Sequence, residues 1–181
     1  MAEIASEKRY CLKAFITDAL TLSRLVAAAA ILWLGWTVGR AAFPKAILLA
    51  TAGWITDAVD GYIARRSHCQ TRLGILDYPI DASLAWASFI FIALAGFISI
   101  RAMLLYTLFA TLVTLWFRRK AVLVLFMRGV DLTVFYFALR DAFLYTLPLL
   151  IWLIFLAWLH RQRLRTETPQ WLRELRALFW K

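Results

Sequence analysis

Long apolar runs separated by short polar segments dominate the chain. A helix needs about 20 mostly apolar residues to cross the hydrocarbon core, and lipid leaves backbone groups no partners outside the helix itself. Six runs fit this length and are predicted as transmembrane helices: residues 19–39, 43–64, 73–100, 102–117, 121–139 and 142–160. Because the connecting segments are short, consecutive helices are expected to be antiparallel neighbours. The predicted fold class is therefore all-α, a polytopic membrane protein.

Two terminal segments have a different pattern. Residues 3–16 carry apolar side chains at helical spacing among charges, and residues 168–180 form one apolar stripe beside arginines. This pattern is typical of amphipathic helices that lie in the membrane interface. We therefore expect a six-helix membrane domain over residues 1–165, beginning with an interfacial helix, and a C-terminal interfacial helix over residues 166–181.

Composition supports the membrane prediction and excludes two other classes. Of the 181 residues, 63% are hydrophobic and 18% are charged. A soluble domain of this size could not bury so many apolar side chains, and a disordered chain would lack them. The net charge is +10, but the basic residues flank the apolar runs. We therefore expect them to face anionic lipid headgroups rather than nucleic acid.

The distribution of basic residues predicts an orientation. Lys and Arg are concentrated on the cytoplasmic side of membrane proteins. The side that holds the N-terminus carries Lys8, Arg9, Lys13, Arg65, Arg66, Arg72, Arg118, Arg119, Lys120 and the tail from Arg161 onward. The other side carries Arg40, Lys45, Arg101 and Arg140. Both termini are therefore predicted to be cytoplasmic.

Five aspartates lie inside the predicted spans, although a charge at the bilayer centre costs at least about 2.5–3.5 kcal/mol. Asp57 and Asp60 are three residues apart and share a helix face, as do Asp77 and Asp81, which are four apart. Two antiparallel helices joined by a short loop bring these four carboxylates to one depth near the cytoplasmic side. The fifth residue, Asp131, has Arg128 one turn away as its expected partner.

Four converging carboxylates can be neutralised in three ways. They can be protonated, paired with Arg24, Arg65 or Arg128, or bound to divalent cations such as Mg²⁺ or Mn²⁺. A two-metal cluster would also orient phosphate oxygens for displacement at phosphorus. Gly61 and Ala64 continue the stripe of aspartates and leave a groove, and Arg65 at its mouth is suited to bind a phosphate.

Read together, these residues resemble the signature of the CDP-alcohol phosphatidyltransferase family. The matching positions are Asp57-Ala-Val-Asp60-Gly61-Tyr-Ile-Ala64-Arg65, then Gly74, Asp77 and Asp81. Thr21-Leu-Ser-Arg24 is similar to the Thr-x-x-Arg often found in the first helix of the family. One spacing departs from the pattern, since two residues rather than three separate Gly74 from Asp77.

The resemblance implies an enzyme that transfers a phosphatidyl group from CDP-diacylglycerol to an alcohol in phospholipid biosynthesis, with release of CMP. It also implies a two-metal site for Mg²⁺ or Mn²⁺ and a homodimer. The implied metal ligands are Asp57, Asp60, Asp77 and Asp81. Asp81 is also the implied base for the acceptor hydroxyl. The implied donor-binding residues are Gly61, Ala64 and Arg65, with Thr21, Arg24 and Gly74 as further candidates.

The acceptor is open at this stage. Length and layout look most like phosphatidylglycerophosphate synthases, which favours glycerol 3-phosphate over inositol phosphate, serine or a phospholipid headgroup. The Gly-Lys-x-Lys-Thr pattern of many relatives with phosphorylated acceptors is reduced to residues 129–133, without the lysines. The basic residues that could replace them are Arg118, Arg119, Lys120 and Arg128.

Two other functions use the same aspartates. A proton- or cation-coupled transporter would place acids inside the membrane, but it needs access from both faces and usually shows inverted repeats. The four acids lie near one face, and no repeat is visible. The other alternative is a catalytically inactive membrane scaffold. The presence of all four aspartates argues against it.

Overall fold

The computed structural model describes residues 12–66 and 77–159. Its helices are α1 (Leu12–Thr37), α2 (Phe43–Arg66), α3 (Asp77–Leu94), α4 (Ile100–Phe117), α5 (Lys120–Asp141) and α6 (Phe143–Leu159), with a short 3₁₀ helix at Gly39–Ala42. No strand occurs within these ranges. The spans that are long and apolar enough to cross a membrane by themselves are Phe15–Thr37, Ile100–Phe117 and Ala121–Asp141. The predicted all-α polytopic fold is confirmed.

The third predicted span was too long. The apolar run continues to residue 100, but α3 ends at Leu94. Gly96 follows in a left-handed conformation with φ +76°, which a residue without Cβ adopts at low cost. Ser99 then caps α4, because its side chain accepts a hydrogen bond of 3.1 Å from the backbone N–H of Ala102. Hydrophobicity alone could not reveal this break.

The predicted interfacial helices lie largely outside the described residues. Residues 12–16, the last part of the predicted N-terminal segment, are continuous with α1. Residues 1–11 and the C-terminal segment 166–181 are outside the described part of the chain. The division into a membrane domain and a C-terminal interfacial helix therefore stays a prediction.

One face of α1 forms the centre of the helix assembly and packs against α2 and α3. The buried positions on this face include Thr17, Thr21, Arg24, Ala28 and Ile31, which recur at helical spacing. The face is therefore polar near the start of α1 and apolar beyond it. This change places a polar cluster at one end of the assembly and an apolar core at the other.

Helices α2 and α3 approach closely at Gly53. A Cβ atom added to Gly53 would lie 2.4 Å from Leu84 Cδ2, and Leu84 is only 2% exposed. Asp57 lies one turn after Gly53, and Asp81 lies three residues before Leu84. This contact therefore sets the separation of the two helices directly beside the acidic residues.

An ion-pair cluster closes the opposite end of the molecule. Arg40 donates to Asp141 at 3.1 Å, and Arg140 donates to the same carboxylate at 2.8 Å. The Arg40 guanidinium also lies 4.5 Å from the centre of the Phe97 ring. These contacts connect the 3₁₀ helix, the loop after α3 and the end of α5.

We expect Gly53→Ala to lower the free energy of unfolding by about 1–3 kcal/mol, because the new methyl overpacks the α2–α3 contact. At an unobstructed helical position the same change would stabilise the protein by roughly 0.5–1 kcal/mol. The sign of the change in the free energy of unfolding therefore shows whether Gly53 is in close contact with α3. Unfolding of the purified protein in detergent measures it. The double variant Gly53→Ala/Leu84→Ala should lose less than the sum of the two single losses; additive losses would show that the two side chains do not meet.

Candidate active site

The guanidinium of Arg24 is the centre of the polar cluster. Its Nη1 donates to Asp57 Oδ1 at 2.9 Å and to Asp81 Oδ1. Its Nη2 donates to Asp60 Oδ2 and, at 3.1 Å, to the hydroxyl of Thr21. The Arg24 side chain is 0% exposed. One residue of α1 therefore contacts carboxylates from both α2 and α3, which brings the three helices together at this point.

Thr21 supports Arg24 from one turn earlier on α1. Its Oγ1 lies 3.1 Å from the carbonyl oxygen of Thr17 and 3.5 Å from Asp60 Oδ2, both of which can accept its proton. The same oxygen accepts the hydrogen bond from Arg24. This buried hydroxyl therefore holds one edge of the guanidinium against α2.

The three carboxylates differ in their access to the surface. The Asp60 side chain is 5% exposed, Asp81 is 31% exposed and Asp57 is 50% exposed. A cavity of about 160 Å³ begins at the more open pair. Its lining includes Trp54, Asp57, Asp81, Leu84, Arg128 and Asp131. A ligand can therefore approach the cluster at Asp57 and Asp81, whereas Asp60 lies behind them.

An apolar groove of about 400 Å³ adjoins this cavity. The two spaces share Trp54, Asp57, Arg128 and Asp131 as lining residues. The remaining lining comes from α2, α5 and α6 and includes Leu132, Phe135, Leu149, Trp152, Leu153 and Leu156. A cavity with carboxylates and Arg128 on its wall and a more apolar groove beside it together match an amphipathic ligand.

Arg128 and Asp131 stand at the boundary of the two spaces. Arg128 Nη1 lies 3.0 Å from Asp131 Oδ2, which confirms the expected pair one turn apart. The Arg128 side chain is 65% exposed and that of Asp131 is 19% exposed. Arg118 and Arg119 are exposed at the turn between α4 and α5 and do not line the cavity. The basic residue described on the cavity wall is thus Arg128.

The structure brings together five of the residues predicted from sequence, namely Thr21, Arg24, Asp57, Asp60 and Asp81. Gly61 follows Asp60 in α2 and is partly exposed. The other predicted positions are only partly described. Ala64 and Arg65 lie in the last turn of α2, and Asp77 is the first residue of α3, but their side chains are outside the described part. Gly74 lies outside the described residues.

Sequence reasoning missed three residues near the cluster. Thr17 and Asp18 are buried on α1, one turn before Thr21, and Trp54 lines both spaces beside Asp57. The signal for the first two was the polar stripe that ends at Arg24, at spacings of three, four and seven residues. Trp54 gave no such signal, since a tryptophan in an apolar helix is equally suited to packing.

Of the three ways to neutralise the acids, the structure contains pairing with arginine. Three carboxylates share one guanidinium, so these four side chains together carry a net negative charge. These hard oxygen donors on two facing helices are the ligand type that Mg²⁺ and Mn²⁺ prefer, and the donor set therefore fits a divalent cation. Among the described side chains, which do not include that of Asp77, no three acidic, cysteine or histidine groups converge as metal ligands.

A profile of the CDP-alcohol phosphatidyltransferase family matches residues 14–162, a range that includes every helix described above except the first two residues of α1. The chain belongs to this family. No curated protein and no solved structure matched the chain. CDP-alcohol phosphatidyltransferases move a phosphatidyl group from a CDP-alcohol donor to an alcohol acceptor with release of CMP. They act in membranes, in phospholipid biosynthesis, and generally depend on divalent metal ions.

We expect Thr21→Val to lower the free energy of unfolding by about 1.5–3 kcal/mol, the contribution typical of a hydrogen bond to a charged group. The valine keeps the shape of the side chain but offers no acceptor to Arg24. Denaturant unfolding in detergent measures the loss. Thr21→Ser, which keeps the hydroxyl, should lose less than half as much. A Thr21→Val protein as stable as the unchanged chain would show that this hydrogen bond does not hold the guanidinium.

Proposed function

We propose that this chain transfers the phosphatidyl group of CDP-diacylglycerol to an alcohol at the cluster formed by Asp57, Asp60 and Asp81. The observation that carries the proposal is that Asp57 and Asp81 line a cavity with further charged side chains on its wall, next to a more apolar groove. The donor has the same two-part character, with a nucleotide diphosphate joined to acyl chains. Its phosphates belong in the cavity and an acyl chain belongs in the groove.

The donor is bound through its phosphates and its nucleotide. Asp57, Asp60, Asp77 and Asp81 are the residues that would hold Mg²⁺ or Mn²⁺, and bound cations supply positive charge to the phosphate oxygens. Gly61, Ala64 and Arg65 would hold the cytidine diphosphate at the end of α2, and Thr21, Arg24 and Gly74 are further candidates for binding it. The absence of bulky side chains at Gly61 and Ala64 leaves room for the nucleotide beside the helix.

Asp81 is the proposed base. It takes the proton from the acceptor hydroxyl, whose oxygen forms a bond to the phosphorus of the phosphatidyl group. The bond from that phosphorus to the oxygen of CMP breaks, and CMP leaves with the electron pair. The position of Asp81 on the cavity wall, with its side chain 31% exposed, supports this role because an acceptor can reach it.

Glycerol 3-phosphate is the proposed acceptor. Arg128 supports it, since a guanidinium on the cavity wall can bind a phosphate where the usual lysines are absent. Arg128 is held by Asp131, so the acceptor phosphate would take the place of that carboxylate. Inositol phosphate would also bind Arg128 through its phosphate, whereas serine and a phospholipid headgroup offer no phosphate monoester for this contact.

The proposal includes an orientation and an assembly. The excess of basic residues on the side of the N-terminus supports a cytoplasmic active site and cytoplasmic termini. A homodimer is expected from the family. Accessibility of single introduced cysteines in sealed vesicles tests the first point, and the mass of the detergent-solubilised protein tests the second.

We expect Asp57→Asn and Asp81→Asn each to abolish CMP release from CDP-diacylglycerol in the presence of Mg²⁺ or Mn²⁺. Each change removes a charge from the open side of the cluster. Asp131→Asn is the matched comparison, since it alters a carboxylate on the same cavity wall that does not contact Arg24, and it should retain substantial activity. Rates near those of the unchanged chain in either of the first two variants would refute the role of the cluster.

An acceptor screen tests the function as a whole. Purified protein receives CDP-diacylglycerol and, separately, glycerol 3-phosphate, inositol phosphate, serine or a phospholipid, and CMP and lipid products are followed. We expect turnover with glycerol 3-phosphate. Turnover with another alcohol only would support the proposed reaction but contradict the proposed acceptor. No turnover with any alcohol would favour a transporter or a membrane scaffold.

We expect Arg128→Gln to raise the KM for glycerol 3-phosphate at least about tenfold, with a smaller change in kcat. A hydrogen bond to a charged group contributes about 1.5–3 kcal/mol, and each 1.4 kcal/mol corresponds to roughly a tenfold change in affinity. Arg119→Gln removes the same charge outside the cavity and should change KM less than about twofold. Equal effects of the two variants would indicate general electrostatics rather than a contact with the acceptor.

A further inference from the structure

The position of Arg24 raises a question that the metal-dependent chemistry does not answer. Its guanidinium contacts Asp57, Asp60 and Asp81, which are the same carboxylates proposed to bind divalent cations. Its side chain is 0% exposed, so it is a built part of the cluster rather than a surface group that folds over it. The Arg24 guanidinium and the proposed divalent cation therefore use the same carboxylates as ligands.

The two cations require different arrangements of the carboxylates. Mg²⁺ binds oxygen at about 2.0–2.1 Å in a compact octahedron, whereas Arg24 holds Asp57 and Asp81 at Nη1 and Asp60 at Nη2. Among the described side chains, no three acids converge as ligands of one metal ion. They can close around a divalent ion only if Arg24 gives up some of these contacts, and the repulsion between the two cations favours the same change.

We infer that Arg24 is an intrinsic counter-cation that holds the aspartates together before metal binds and that a divalent cation must partly displace. This inference rests on the proposed function for the identity of the metal ligands. It assigns Arg24 as a positioning residue that weakens metal binding while stabilising the metal-free protein. The internal cation reduces the repulsion among the three carboxylates, which would otherwise act to separate α2 from α3.

Direct Mn²⁺ binding tests the inference without any lipid substrate. The full-length protein in detergent is titrated with Mn²⁺, and free Mn²⁺ is measured by electron paramagnetic resonance. Arg24→Gln is expected to lower the dissociation constant at least about tenfold, which corresponds to roughly 1.4 kcal/mol. Arg128→Gln is the matched control, since it removes the same charge from the cavity wall without a contact to the three aspartates, and it should change the constant by less than about threefold.

Thermal unfolding provides the second readout. In EDTA, Arg24→Gln should unfold at a lower temperature than the unchanged chain, and Mn²⁺ should raise its unfolding temperature more than that of the unchanged chain. If Arg24→Gln does not fold in EDTA, Mn²⁺ binding is measured with Arg24→Lys instead. A lysine has fewer donors and no planar fork, so this variant should also bind Mn²⁺ more tightly than the unchanged chain, by a smaller factor.

Two results would overturn the inference. The first is Mn²⁺ binding that is unchanged or weaker in Arg24→Gln, or in Arg24→Lys where the first variant does not fold. The second is equal tightening in Arg128→Gln, which would reveal a general charge effect. CMP release by the unchanged chain is measured separately. If CMP is not released but Arg24→Gln binds Mn²⁺ more tightly, the proposed function is rejected and the counter-cation role of Arg24 is retained. If CMP is released but Arg24→Gln does not bind Mn²⁺ more tightly, the proposed function is retained and the counter-cation role is rejected.

Discussion

In an apolar surrounding, an ionised carboxylate is stable only beside a compensating positive charge. Arg24 compensates Asp57, Asp60 and Asp81 together, and it can do so only where α1, α2 and α3 meet. Removing one partner from a buried pair such as Arg24 and Asp60 typically costs about 3–5 kcal/mol. The arrangement of the first three helices and the location of the candidate site therefore have the same physical cause.

The packing of the helices fits this requirement. The buried face of α1 changes from polar at Thr17 and Arg24 to apolar at Ala28 and Ile31, so the charged cluster and the apolar core follow one another along one helix. Gly53 allows α2 to approach Leu84 of α3 closely, one turn from the aspartates. A larger side chain there would move the carboxylates apart and away from their shared guanidinium.

The same cluster is buried on one side and open on the other, which suits both stability and chemistry. Asp60 is almost fully enclosed and contacts α1, whereas Asp57 and Asp81 reach a cavity. The enclosed carboxylate contributes to holding the helices together, and the open pair can meet a ligand. The apolar groove beside the cavity then places an amphipathic molecule with its polar part at the carboxylates.

Periodicity and spacing predicted much of this arrangement. Apolar run lengths predicted six helices, and the separation of Asp57 from Asp60 predicted a common face, since helix geometry is local. The end of α3 was predicted wrongly, because the left-handed conformation at Gly96 interrupts an apolar run without changing its hydrophobicity. The burial of Asp18 was missed, since it depends on the helix against which α1 packs.

The class of the protein, its acidic helix faces and the family motif can be predicted from the amino-acid sequence, because they depend on composition or on residues within a few turns. Helix packing determines which arginine pairs with the aspartates, because Arg24 lies 33 residues before Asp57 and 57 before Asp81. It also decided that Arg128, rather than Arg118 or Arg119, lines the cavity. Contacts between distant segments follow from how helices pack, and local spacing does not contain that information.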